Sequence, residues 1–268
     1  MDKFTTVRYE DLRPGPLGRY MTPIDEEAIA NWLDIIGDSH DSGVAMSFAL
    51  TWMLRALRLA LGGIPAGGIL ARHELQFAHE PQALAALETD VAVASLYEKR
   101  GRPYLALQFV TAEHGHQVAA DRMHLVWPGT GTQSPPSQDS LRASPPVMAP
   151  AEAELLVEAS VSQEQIDRYA DLSGDYNPLH VDPIAGKASP FGSTIAHGPI
   201  TLGFLFRGLK RVYGRHWVPG LAVDARFTAP IRPGDQVRVL RLANSEFVVL
   251  RQDGERAVIA TVSVQGGS

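Results

Sequence analysis

Two stretches decide the fold: Ile24–Asp38, IDEEAIANWLDIIGD, and Val161–Asp175, VSQEQIDRYADLSGD. Each reads as an amphipathic helix closed by a glycine and an aspartate. In the first, Ile29, Trp32, Leu33 and Ile36 recur at the spacing of one helical face. In the second, Ile166, Tyr169 and Ala170 do so, and Ser162 with Gln165 is placed as a capping box. A further pair repeats in the same order: Ala71–Val93, ARHELQFAHEPQALAALETDVAV, and Ala222–Val239, AVDARFTAPIRPGDQVRV. The chain is an internal repeat.

Between the paired stretches each half carries one long apolar run. Val44–Leu61 is apolar nearly all round, relieved late by Arg55 and Arg58 and stopped by Gly62. Pro199–Tyr213 is its counterpart, with Arg207, Lys210 and Arg211 late and Gly214 as the stop. Helices of this kind are buried, cations in the last turns suit the macrodipole, and Pro199 suits a first helical position. Strand-like segments follow each. They are Ile69–His79, Thr89–Glu98, Pro103–Glu113 and Val118–Trp127, then Gly220–Ala229, Asp235–Arg241, Glu246–Arg251 and Arg256–Val264, with Leu155–Ala159 ahead of the second set. The opening segment to Pro23 is polar and turn-rich, with one or two short extended pieces at most. An antiparallel sheet wrapped around one buried helix explains both signals in each half. The expected fold class is α+β, with two similar halves packed sheet to sheet. Residues 128–152, rich in Pro, Ser, Gly and Thr, read as a linker between a first repeat, 1–127, and a second, 153–268.

Composition narrows the function. Of the 268 residues 45% are hydrophobic and 20% charged, as in a soluble globular protein. A net charge of −6 with no basic stripe argues against nucleic acid as a partner. The absence of cysteine excludes disulfides, thiolate metal sites and thiol nucleophiles. MDKFTTVRYEDLRPG holds no apolar core of signal-peptide length, and no segment reads as a membrane span, so a cytoplasmic protein is expected.

The chemistry is concentrated in Asp175–Pro199, DYNPLHVDPIAGKASPFGSTIAHGP. Asp175 and His180 put a carboxylate and an imidazole in one loop that Asn177 and Pro178 keep irregular. They are a candidate acid–base pair, although Asp, Asn and Pro are also what an ordinary turn uses. Gly198, opening an apolar helix, offers either an unobstructed N–H to a ligand oxygen or a flexible joint. Asn177 either forms an Asx turn or orients a water or thioester. His197 is read as fixing the loop. Lys187, Arg207, Lys210 and Arg211 are candidates to meet a phosphate-bearing carrier. Asp38-Ser39-His40 stands where the second half has DYNPLH and reads as a decayed counterpart. His114 and His116, taken as strand neighbours, lack a third ligand, so no metal site is expected. No phosphate-binding loop and no Gly-x-Ser-x-Gly elbow occurs.

These residues resemble a known family. Asp175-x-Asn177-Pro178-x-His180-x-Asp182, then Phe191-Gly192 and Ile195-Ala196-His197-Gly198, is similar to the signature of MaoC-like (R)-specific enoyl-CoA hydratases and dehydratases. The first half resembles the degenerate hotdog of double-hotdog members, in which two repeats on one chain mimic a dimer. The resemblance implies Asp175 and His180 as the catalytic pair, with Asn177 in support. It implies Gly198 as an oxyanion-hole donor and a coenzyme A or acyl-carrier-protein thioester as substrate, with no metal or redox cofactor. It also implies that the first half helps form the acyl pocket, and it leaves a homodimer open. Two other functions compete on the same fold. Hotdog thioesterases lean on a carboxylate from the central helix, and Pro199–Tyr213 has none. A non-catalytic acyl-thioester-binding partner would have no use for both Asp175 and His180.

Overall fold

A computed structural model describes residues 4–39, 43–82, 86–128, 153–243 and 245–265. The first repeat runs β1 (Gly15–Pro23), α1 (Glu26–Ile36), α2 (Ala49–Leu61), β2 (Ile69–Phe77), β3 (Ala86–Lys99), β4 (Arg102–Glu113) and β5 (His116–Val126). The second runs β6 (Glu154–Ser160), α3 (Gln163–Ser173), two short helices α4 (Pro178–Val181) and α5 (Pro183–Ala188), α6 (Gly198–Tyr213), then β7 (Leu221–Phe227), β8 (Gln236–Ala243), β9 (Glu246–Arg251) and β10 (Arg256–Val264). The local causes are those of the sequence. Asp25 caps α1 by accepting from Ala28 N–H, and Ser162 and Gln165 form the capping box of α3. Gly37 and Gly174 end the two helices in the left-handed region, at φ 66° and 74°.

The sheet order is β1-β3-β4-β5-β2-β7-β10-β9-β8-β6, antiparallel throughout. Read from either end it gives the same sequence of roles, so the fold is a double hotdog. The halves join edge to edge, β2 on β7 with Leu75 opposite Val223, rather than packing face to face as expected. One continuous sheet leaves both inner edges paired, and only β1 and β6 remain as edges. The opening segment also holds more than expected: β1 is a nine-residue strand on β3, with a register shift between Pro16 and Gly18. The expected linker falls almost wholly in residues 129–152, outside the described residues, as does His40. His114 sits in the β4–β5 turn at φ 49°, not on a strand beside His116. No helix among the described residues is long and apolar enough to cross a membrane.

The core lies where the repeats meet. Counting 137 residues from Ile24 to Val161 makes Trp32 the equivalent of Tyr169, and these two buried rings pack on each other at 5.2 Å. Arg168 likewise donates to its own equivalent, Asn31, at 2.7 Å. Gly203 of α6 lies against Ile36 and Trp32, where an added Cβ would come within 2.5 Å of Ile36. The central helices clamp the opposite repeat. Arg55 and Arg58 of α2 donate to the carbonyls of Leu172 and Ser173 at the end of α3, and Arg207 of α6 donates to that of Ile36 at the end of α1. Those carbonyls are the unsatisfied ends of helices.

Because Trp32 is fully buried at this shared seam, Trp32→Ala is expected to cost about 3–5 kcal/mol. Urea denaturation would read this as a lower midpoint with a single transition for both repeats. Loss of one repeat ahead of the other would contradict a shared core.

Candidate active site

The site is assembled where α3 ends. Gly174 turns the chain, and Asp175 follows with its N–H donating to Ser173 Oγ at 3.2 Å. Asp175 Oδ1 accepts from Asn177 N–H at 3.1 Å, an Asx turn. Asn177 in turn accepts from Leu179 N–H at 3.2 Å and starts α4, with Pro178 at its first position. The loop is therefore helical where irregular backbone was expected. Asp182 does the same for α5, accepting from Ile184 and Ala185.

Asn177 also reaches across to the first repeat. Its Oδ1 accepts from Gly67 N–H at 3.1 Å and its Nδ2 donates to Gly68 O at 2.9 Å. Its place is structural: the side chain ties the Asp175–His180 segment to the turn before β2.

His180 lies in the last turn of α4, and its Nδ1–H donates to Ile195 O at 2.8 Å. That tautomer leaves Nε2 as an acceptor. His197 packs its ring against His180, with centroids 3.8 Å apart and planes at 33°, and its Nε2–H donates to Asp175 O at 2.9 Å. Both candidate catalytic groups are thus held by one histidine. The ligand atoms of Asp175, His180 and His197 lie within 4.8 Å of one another, close enough for a metal. One nitrogen of each ring, however, already serves a backbone carbonyl, His180 Nδ1 that of Ile195 and His197 Nε2 that of Asp175.

All three groups are buried, and burial sets their charge. It pushes the Asp175 carboxyl above its usual 3.8, opposed by His180, the Asn177 N–H and Arg58. It pushes the His180 imidazole below 6.5, opposed by Asp175, and it drives His197 well below that value, helped by His180. At neutral pH both rings are uncharged and His180 is a base.

Asp175, His180, Asn177 and Gly198 border one cavity of about 420 Å³. Gly198 begins α6, where first-turn N–H groups have no intrahelical acceptor and the helix dipole is positive. An added Cβ there would come within 2.7 Å of a Leu70 methyl and 3.3 Å of the Phe227 ring, so close packing and not φ favours glycine. Phe191, Ile195 and Phe227 of the second repeat line it too, and the facing wall comes from the first repeat: Leu54 and Leu57 of α2, Ile64, Leu70 of β2, and Met123 and Leu125 of β5. Lys99, Arg100 and Arg102 of the β3–β4 turn border it as well. Sequence reading recognised that run only as a turn, although its charge density was visible.

The four cations expected near a carrier do not border this cavity. Arg207 is engaged with Ile36 O, Lys210 with Asp38 and Ser39, and Arg211 with Leu156 O, while Lys187 is exposed on α5. Helix-end cations found carbonyls of their own chain first.

The equivalent place in the first repeat is nearly filled. Asp38, the counterpart of Asp175, pairs with Lys210 at 3.4 Å beside a void of only about 10 Å³. Counting back from the glycines that end the central helices, Phe206 of α6 stands where α2 has Leu54, and it occupies that space.

Residues 147–265 match the family described as MaoC like domain. The 3-hydroxyacyl-thioester dehydratase Z of Mycobacterium tuberculosis is 39% identical over 109 residues, 39% of this chain and 69% of that protein. The crystal structure of HtdX from the same organism superposes with a TM-score of 0.74 at 19% identity, covering 92% of this chain and 99% of the other. A further M. tuberculosis protein, described as having a double hotdog fold, gives 0.64 at 15% identity over 96% and 98%.

Replacing Asn177 by alanine would orphan the Gly67 and Leu179 N–H groups and the Gly68 carbonyl. The expected cost is about 1–3 kcal/mol. A thermal melt should show it, and an unchanged midpoint would mean that the tie between repeats carries no stability.

Proposed function

The chain belongs to the MaoC-like dehydratase family, and on that footing we propose that it adds water to 2-enoyl thioesters with (R) stereochemistry, and in reverse dehydrates 3-hydroxyacyl thioesters. One observation carries the reading: a buried Asp175–His180 pair shares a cavity with the first N–H of α6. The relative named a 3-hydroxyacyl-thioester dehydratase supports the substrate class, a thioester of coenzyme A or of an acyl-carrier protein.

Asp175 and neutral His180, through Nε2, hold one water between them. As its oxygen bonds to the β-carbon, the pair takes a proton and the π electrons move to the thioester oxygen. Gly198 N–H, backed by the α6 dipole, meets that enolate oxygen. The pair then returns a proton to the α-carbon and is unchanged after the turnover. Addition of water is redox-neutral, so these residues supply the proton transfers and the oxyanion donor without a redox cofactor. The apolar wall of Leu54, Leu57, Leu70, Met123 and Leu125 takes the acyl chain. A thioesterase reading gains nothing from α6, which has no carboxylate.

Asp175→Asn and His180→Ala should each lower hydration of crotonyl-CoA by about 10²–10⁴-fold with the fold intact, read as loss of enoyl absorbance and by circular dichroism. Near-native turnover in either variant, or free-thiol release by the native protein in place of hydration, would sink the assignment.

The acid limb of kcat/KM is fixed by the two shifts. As pH falls, Asp175 gains its proton above 3.8 and His180 gains its own below 6.5. Activity is therefore expected to fall on an acid limb that lies above the ordinary carboxyl value of 3.8, as a property of the coupled pair. In Asp175→Asn, the residual activity should show the limb moved to lower pH, because Asp175 raises the His180 pKa. In that variant, where the carboxylate is gone, a limb at or above 6.5 would contradict a buried neutral His180.

A further inference from the structure

We propose that the β3–β4 turn of the first repeat, Lys99-Arg100-Gly101-Arg102, is the docking site for the phosphate groups of a nucleotide-bearing thioester carrier, so that the repeat without a dyad selects the carrier. This rests on the hydratase reading above and adds to it the end of the cavity from which the substrate enters.

The turn places three permanent cations within four residues at the border of the same cavity that holds Asp175 and His180. Lys99 and Arg100 are exposed and Arg102 is half-buried. None of the three has an ion-pair or side-chain hydrogen-bond partner among the described residues. Arg207, Lys210 and Arg211 are engaged with the chain itself, and Lys187 is exposed on α5 and does not border the cavity. Against a net charge of −6, the residues bordering the cavity include one carboxylate, Asp175, which belongs to the dyad. The charged side chains bordering the cavity are therefore net positive, opposite in sign to the whole molecule.

The backbone of the turn presents these side chains outward. Lys99 pairs with Arg102, leaving a two-residue hairpin loop with Arg100 at φ 54° and Gly101 at φ 71°. Left-handed positions in such loops favour Asn, Asp or Gly, and an arginine there costs about 1–2 kcal/mol. The cation is kept at the tip of a rigid hairpin despite that cost.

The polarity of the cavity orients the substrate. Its inner wall, with Leu54, Leu57, Ile64 and Leu70, suits an acyl chain, whereas the exposed cations suit groups that stay hydrated. Three forked or mobile donors side by side match several phosphate oxygens carried on one small molecule. A carrier protein would meet the negative charge of the rest of the surface, so the nucleotide carrier is favoured.

The test compares one enoyl group on two carriers, coenzyme A and N-acetylcysteamine, which has no phosphate. In the triple variant Lys99→Ala/Arg100→Ala/Arg102→Ala, the preference for the coenzyme A thioester should fall by about tenfold, the worth of roughly three exposed charge pairs. The loss should appear in KM more than in kcat, and the salt dependence of kcat/KM that native protein shows with coenzyme A should flatten. An unchanged preference would overturn the docking site while leaving the hydratase reading standing. Equal loss on both carriers, or a native preference for enoyl carrier protein over enoyl-CoA, would also overturn it. Failure of the native protein to hydrate either small thioester would instead remove the hydratase reading beneath it.

Discussion

Glu74 and Asp224 stand opposite each other where β2 meets β7, and Arg72 holds both. Its Nε and Nη2 reach the two Asp224 oxygens at 2.7 Å each, and Nη2 lies 3.0 Å from Glu74. Like charges directly across a strand pair repel, so this joint depends on the shared guanidinium, which keeps the Asp224 carboxyl below its usual range. His124 donates to Glu74 and Tyr97 bonds to His124, which extends the network over β5 and β3. With the joint formed, the sheet is continuous, and β2 and β7 run side by side beneath the cavity. Leu70 of one and Phe227 of the other then close on Gly198 from both repeats.

Much of this was legible because repeats leave local marks. Apolar faces recurring at helical spacing, Ser162 with Gln165, and the glycines at 37 and 174 act within a few residues, and the structure forms helices at those places. The edge-to-edge joint left no such mark, since a strand that pairs with its own counterpart shows the same alternation as one buried in a sandwich. The strand β1 was hidden by Gly15, Pro16 and Gly18, which dilute the alternation at a bulge. The short helices α4 and α5 were readable in principle. Asn177-Pro178 and Asp182-Pro183 each set a capping side chain before a proline at a first helical position.

The candidate site was legible in its types and not in its supports. Asp175, His180 and Gly198 stand together around one cavity, as their spacing suggested. What holds them comes from far along the chain: Gly67 and Gly68 from 110 and 109 residues away, and His197 from 22. Such partners follow from the pseudo-twofold packing, which a linear pattern does not encode. The misplaced carrier cations have the same cause. A late helical arginine was read as available to a carrier, but each central helix ends beside the other repeat's helix terminus, where a bare carbonyl is the nearer acceptor.

That packing also explains how one site can be kept and the other closed. In a symmetric dimer of identical chains, a residue that enlarges one cavity enlarges both. On a single chain the two positions vary independently. Leu54 of α2 leaves room beside Asp175, and Phe206, at the corresponding position of α6, fills the space beside Asp38. Asp38 is then free to pair with Lys210. Arg58, which stands where α6 has Lys210, instead donates to the Ser173 carbonyl and leaves the Asp175 side chain to the cavity. The asymmetry joins two exchanges on the central helices, one of size and one of hydrogen-bond partner, to the α4–α5 segment that carries His180 and has no counterpart among the described residues of the first repeat.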